Sequence, residues 1–173
     1  MNISESLRIA LYPLGVISTF AFTLRFLFQW LQSEKAHKST VSATFWWISL
    51  GGNLTLLLHS LIQGQYFICV VQGINGVIAL RNINLMEDKK LQWKLSTVLL
   101  QLGVTVVLIT GLFFIFSNQA WLRTPIHTFQ TSLVAPSFLM NVIGFLGVTL
   151  FASRFWVQWV QAECSHTSSL ERP

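Results

Sequence analysis

Five stretches of this sequence are long and apolar enough to cross a bilayer as helices, and this restricts the fold more than any motif does. They run roughly Ile9–Leu31, Val41–Leu61, Tyr66–Met86, Leu95–Phe116 and Ser137–Val160. A hydrocarbon core of about 30 Å takes about 20 residues of helix. Inside it every backbone amide must find an internal partner. The expected class is an all-α polytopic membrane protein of about five transmembrane helices. Composition agrees: 53% of residues are hydrophobic and 10% are charged, against about 25% charged in soluble domains. The lipid bilayer is therefore the first expected partner. The formal charge of +5 is spread along the chain without a basic patch, so no nucleic-acid partner is expected.

The amino terminus does not read as a cleavable signal. "MNISESLR" sets Glu5 against Arg8 where a basic region should stand, and the apolar run that follows meets no small-residue cleavage site. Cys69 lies in an apolar segment and Cys164 near a helix end, so a structural disulfide is not expected. Basic residues mark the topology. Lys35 and Lys38 follow the first segment, and Lys89, Lys90 and Lys94 follow the third. The opposite side carries Arg8, the neutral turn Gln63–Gln65 and Arg123. The positive-inside rule then places the N-terminus outside and the C-terminus in the cytoplasm. The stretch 117–136, with Pro125, Pro136 and Trp121, suits a loop at the membrane interface.

One passage is written twice. "RFLFQWLQSEKAHKS" at Arg25–Ser39 recurs as "RFWVQWVQAECSHTS" at Arg154–Ser168. Corresponding pairs include Gly15/Gly144, Phe22/Phe151, Arg25/Arg154, Phe26/Phe155, Gln29/Gln158, Trp30/Trp159, Glu34/Glu163 and His37/His166. Both copies run outside to inside, so the repeats are parallel, and the fourth segment serves as the spacer that restores orientation. This divides the chain into a three-helix unit (1–90), a spacer helix with interfacial loop (91–136) and an incomplete second repeat (137–173). Nothing after Ser168 resembles the "ATFWWISLGGNL" that follows the first copy, so the sequence reads as a fragment, with Arg154 and Gln158 expected to lack partners.

The string "RFLFQWLQSEKAHKS…FWWISLGGNL", followed by "VQGINGVIALRNINL", resembles the lipid-A biosynthesis N-terminal domain. That family carries R-F-x-x-Q-W-x-x-S-E, then F-W-x-x-S-L, then a Gly-Gln and Arg-Asn-Leu element. Here the order is Gln72-Gly73 before Arg81-Asn82, and Ala43 stands near the place of the family's proline. The doubled arrangement resembles the membrane extension of chlamydial-type lipid-A-disaccharide synthases. The resemblance implies a bacterial inner-membrane module of lipid A biosynthesis. Its expected partners are acylated glucosamine lipids and a cytoplasmic glycosyltransferase domain, or a second copy of itself. The transferase's glycine-rich opening, G-E-A-S-G-D, occurs nowhere in the chain, so the chain alone is expected to make no disaccharide. By analogy of architecture, the unit and its parallel duplication also resemble the small PQ-loop sugar transporters (the SWEET type), and a solute or lipid-precursor carrier is the alternative function. Fold does not settle function.

Arg25, Gln29 and Gln32 fall at i, i+4 and i+7, on one face of the first helix. Arg154, Gln158 and Gln161 repeat that face. A charge at the bilayer centre costs roughly 2.5–3.5 kcal/mol on insertion scales, so such an arginine needs a reason. It could snorkel to headgroups, or face the bundle and hold a phosphate or carboxylate in a forked pair. Gln72, Asn75, Ala79 and Asn82 form a stripe on the third helix, with Arg81 beside it, and Ser49 and Asn53 lie one turn apart on the second. These faces are expected to meet Arg25 and Gln29 inside the bundle, as helix–helix glue or as a polar groove for a sugar or lipid headgroup.

Glu34 and Glu163 stand a half-turn away from the arginine of their own helix, at the membrane boundary. They are expected to meet a basic residue of another loop, with general-acid chemistry the weaker alternative. His37 and His166 are lone imidazoles, so no metal site is expected, no cofactor motif is present, and no catalytic carboxylate pair or Ser/His/Asp set is visible. His59 is expected at the outer interface. Trp30, Trp46, Trp47, Trp93, Trp121 and Trp159 suit an aromatic belt. "LGGN" at Leu50–Asn53 and Gly73–Gly76 fail as phosphate loops and suit close helix packing.

Overall fold

A computed structural model describes residues 5–37, 41–116 and 138–165. Among them the chain is wholly helical: α1 Glu5–Ala10, α2 Pro13–Ala36, α3 Ala43–Gln63, α4 Tyr66–Asn84, α5 Leu95–Phe116 and α6 Phe138–Ser165. Among the described residues, four stretches, where five were expected, are long and apolar enough to cross a membrane: Ser6–Lys35, Ala43–Gln63, Tyr66–Asn84 and Leu95–Ile115.

The helix ends follow local chemistry. Pro13, lacking an amide hydrogen, opens α2 at its first turn, and so splits the first expected segment into α1 and α2. The second correction is at the other end: α2 continues past Leu31 to Ala36, where His37 takes a left-handed conformation at φ 48° and its N–H bonds the Glu34 carbonyl. α6 likewise runs on from Val160 to Ser165. Ser42 caps α3 by accepting from the Phe45 amide. Gly64, at φ 74°, closes α3 with the left-handed turn that glycine adopts without a Cβ penalty, so that α4 returns antiparallel two residues later, at Tyr66.

α4 is the central helix, packing on α3, α5 and α6, while α2 packs on α3. Its glycines explain part of this. A Cβ at Gly73 would meet Ile109 Cδ1 and Thr105 Cγ2 of α5 at 2.8 Å. A Cβ at Gly52 of α3 would meet the Phe22 ring of α2 at 2.8 Å. Small residues let these backbones approach, as the sequence suggested. Gly51 and Gly76 have nothing within 4 Å and do not serve in this way.

Two apolar clusters sit at opposite ends of the α3–α4 pair. One joins Phe45, Trp46 and Leu50 to Ile78, Ala79 and Phe155. The other joins Cys69 to Ile109 and Phe113, with Leu57 and Tyr66 against it. Tyr66 also shares a hydrogen bond with Thr110 of α5 (3.0 Å). Between the clusters, by position along their helices, lie Asn53, Gln72 and Asn75.

The aromatic belt is partly corrected. Trp30 and Trp47 are exposed on the bundle surface, but Trp46 is buried in the first cluster and Trp159 packs against it; Trp121 lies outside the described residues. His59 is also a correction. It is buried, with the Tyr12 ring edge-on at 5.7 Å and Gly15 close against it, because the α1–α2 turn folds over the end of α3.

Candidate functional site

Every polar residue singled out on α3 and α4 turns inward. Ser49, Asn53, Gln72, Asn75, Arg81 and Asn82 are all buried, as is Arg25 on α2. The structure divides them among three places.

The first place is the seam where α2, α3 and α6 meet. Arg25 has no exposed surface. Its Nη1 donates to Ser49 Oγ at 3.1 Å, and Ser49 in turn donates to the Phe45 carbonyl at 2.6 Å. The guanidinium lies among four rings: Phe155 at 4.3 Å, Phe22 at 4.6 Å, Phe26 at 4.9 Å and Phe45 at 5.5 Å. Cation–π contacts stabilise by about 0.5–2 kcal/mol each. Two or three such contacts offset the roughly 2.5–3.5 kcal/mol that an intramembrane charge costs. Arg25 therefore faces the bundle and does not snorkel. Its Nε and Nη2 have no partner among the described residues.

Arg154 and Gln158 were expected to be alone, and for Arg154 that is overturned. Its Nη2 donates to Gln29 Oε1 at 2.9 Å, and its guanidinium lies over Phe26 at 4.7 Å. The relation is reciprocal. The arginine of the first copy stacks on the phenylalanine of the second, and the arginine of the second stacks on the phenylalanine of the first. Contacts in which i meets j and j meets i mark a two-fold interface. Gln158 Oε1 is buried without a partner among the described residues.

The second place is the amide layer between the apolar clusters. Gln72 Oε1 and Asn75 Oδ1 are buried with no hydrogen-bond partner among the described residues, as are Trp46 Nε1 and Ser60 Oγ. A buried polar atom left unpaired costs about 1–3 kcal/mol. Asn82, at the edge of this stripe, spends its amide on the Ile78 carbonyl of its own helix (2.9 Å). The expected meeting of this stripe with Arg25 and Gln29 is not among the hydrogen bonds formed. Arg25 meets α3, and Gln29 meets α6.

The third place takes Arg81 away from Arg25. Arg81 Nε donates to Glu163 Oε1 at 2.6 Å and its Nη2 to Glu163 Oε2 at 2.9 Å, a forked pair between α4 and α6. Its Nη1 donates to Asn84 Oδ1 at 3.0 Å and to the Trp93 carbonyl at 2.8 Å. Trp159 Nε1 adds a bond to Glu163 Oε1 at 2.9 Å, and the Trp93 amide bonds Asn84 Oδ1 at 2.8 Å. The base that meets Glu163 therefore comes from a helix, not from a loop. Glu34, its counterpart, is exposed on α2. Asn84 was missed in the sequence, although it extends the buried stripe by a further turn beyond Arg81. His37 is exposed at the end of α2, and His166 lies outside the described residues. Cys69 is buried and Cys164 exposed, both free thiols.

Residues 14–84 match the Lipid A Biosynthesis N-terminal domain, a span that holds Arg25, the amide layer and Arg81. A lipid-A-disaccharide synthase of Chlamydia abortus is 35% identical over 165 residues, covering 92% of this chain and 26% of the relative. Those of Chlamydia pneumoniae and Chlamydia muridarum are each 31% identical, over 95% and 98% of this chain and 27% and 28% of their own length. The chain thus spans about a quarter of the length of these relatives. No solved structure matches it. Residues 14–84 of the chain match the Lipid A Biosynthesis N-terminal domain family, and nearly all of its length is similar to the N-terminal part of chlamydial lipid-A-disaccharide synthases.

Proposed function

We propose that this chain is the membrane module of a lipid A pathway enzyme, presenting acylated glucosamine precursors to a cytoplasmic glycosyltransferase. The observation that carries the reading is similarity to lipid-A-disaccharide synthases along 92% of the chain or more, on a framework of apolar helices. The module sits in the bacterial inner membrane with its N-terminus periplasmic and its C-terminus cytoplasmic. Asn53, Gln72 and Asn75, in the layer between the two apolar clusters, receive the sugar headgroup, while Arg25 and Ser49 tie α2 to α3 beside it. The unpaired carbonyl oxygens of Gln72 and Asn75 support this, because sugar hydroxyls are donors of the kind those oxygens lack. Arg81 and Glu163 hold the boundary end of the site together and contribute no chemistry.

A photoactivatable acylated glucosamine phosphate in vesicles tests the reading. It is expected to label α3 and α4 saturably, with unlabelled lipid competing and Gln72→Leu reducing capture several-fold. Capture no greater than that of a phosphatidylglycerol probe, and insensitive to Gln72→Leu, would remove the reading.

The reciprocal seam between α2 and α6 favours one second reading. Parallel repeats related by an axis along the membrane normal are an architecture of small sugar carriers, and a carrier of solute or lipid precursor would use the same interior. Uptake into proteoliposomes that is lost in Gln72→Leu would select it over headgroup presentation.

A further inference from the structure

The two-fold relation at the seam places a demand on α2 that no described helix meets. On α6, the face running through Ala152, Phe155, Trp159 and Glu163 packs on α4. Ala152 is fully buried, Phe155 and Trp159 belong to the α3–α4 cluster, and Glu163 is held by Arg81. The same positions in the first copy are Thr23, Phe26, Trp30 and Glu34. Phe26 is used in the seam, beneath both arginines. The rest of that face is open: Thr23 and Glu34 are exposed, and Trp30 is 58% exposed against the half-buried Trp159.

We infer that the Thr23–Trp30–Glu34 face of α2 is a docking surface for a transmembrane helix of the α4 kind, carrying an arginine where α4 carries Arg81. The partner's chemistry follows from charge and continuity. Glu163 is satisfied by a forked arginine and an indole N–H. Glu34 has the counterpart indole, Trp30, one turn before it on the same face, and no cation is paired with it among the described residues. A two-fold seam that is isologous at its centre (Arg25 on Phe155, Arg154 on Phe26) is continued by equivalent contacts on both sides. The docked helix would run antiparallel to α2, as α4 does to α6, and would bring its own amide stripe. The inference is independent of the lipid reading, since it concerns how a second unit assembles against the first.

The test uses the whole chain in phosphatidylcholine vesicles, with an acceptor dye on the exposed Cys164. The probe is a donor-labelled synthetic peptide of the Tyr66–Met86 sequence. A single apolar helix satisfies its own backbone in lipid, so the peptide is helical without its neighbours. Saturable energy transfer is expected, weakened several-fold by Trp30→Ala and at least about tenfold by Glu34→Arg, as loss of a charge-assisted forked pair requires. Binding to the Glu34→Arg chain should return with an Arg81→Glu peptide. Absence of saturable transfer would overturn the inference, as would equal binding to Glu34→Arg. So would binding that follows Glu163→Gln instead, since the peptide would then be displacing the chain's own α4. Transfer between two labelled whole chains, lost in Trp30→Ala without any peptide, would assign the face to a second copy and also overturn it.

Discussion

Arg25 of α2 lies 4.3 Å from the centre of the Phe155 ring of α6, while Arg154 of α6 lies 4.7 Å from that of Phe26 of α2. The repeated arginine thus has a structural task in both copies. It clamps its own helix to the other copy's aromatic ring, inside a bundle where a bare charge is disfavoured. The two environments differ in one respect. Arg25 is sealed by four rings and Ser49, whereas Arg154 rests on one ring and Gln29, on the exposed side of the seam.

Replacing Arg25 by Lys should therefore be costly even though the charge is kept. An ammonium lacks the planar group that stacks on the rings around it. Unfolding titrations in mixed micelles should show a loss of about 1–2 kcal/mol. A double-mutant cycle with Phe155→Leu should return a coupling of about 1 kcal/mol. Additive single mutants would mean that the stacking contributes nothing.

The Arg81–Glu163 pair fastens α6 to α4, with side chains only 5% and 16% exposed. Removing one partner of a buried pair typically costs about 3–5 kcal/mol. Arg81→Ala should fall near the lower figure, because Glu163 keeps the Trp159 indole and some access to water. Glu163→Gln, which preserves shape, should cost less. Protease accessibility of α6 in micelles should rise in the same order.

The glycines give a prediction with opposite signs. Gly73→Ala places a methyl 2.8 Å from Ile109 and Thr105 and should destabilise the α4–α5 contact by about 1–2 kcal/mol, the range of modest overpacking. Gly51→Ala and Gly76→Ala meet nothing within 4 Å. They should be neutral or stabilise by up to about 1 kcal/mol, alanine being the better helix former. Equal effects at the three sites would contradict the packing described.

The free cysteines report topology. Cys164 is exposed and Cys69 buried, so a maleimide should modify one thiol per folded chain and two after denaturation. In oriented membranes a membrane-impermeant maleimide should reach Cys164 from the cytoplasmic face. Labelling from the periplasmic face would reverse the proposed orientation.

Much of this architecture is legible along the chain because its causes are local. Apolar length placed the long helices, and helical spacing showed which faces of α3 and α4 turn inward, whereas the break that Pro13 makes between α1 and α2 was read through. The same spacing separated Glu163 from Arg154, since nine residues make a half-turn. Arg81 shows where that logic ends. It was read as standing beside the α4 stripe expected to meet Arg25, yet it is bound to Glu163, Asn84 and Trp93.

By itself, then, the sequence determined that the chain is helical, which side of each helix is polar and that one helix is written twice. Only the tertiary structure decided which polar face meets which. It joined Arg25 to Ser49 and Phe155, Arg154 to Gln29 and Phe26, and Arg81 to Glu163, while leaving Glu34 open on α2. Periodicity states the direction in which a side chain leaves its own helix. The neighbour standing in that direction is set by how helices cross and how closely their small residues let them approach.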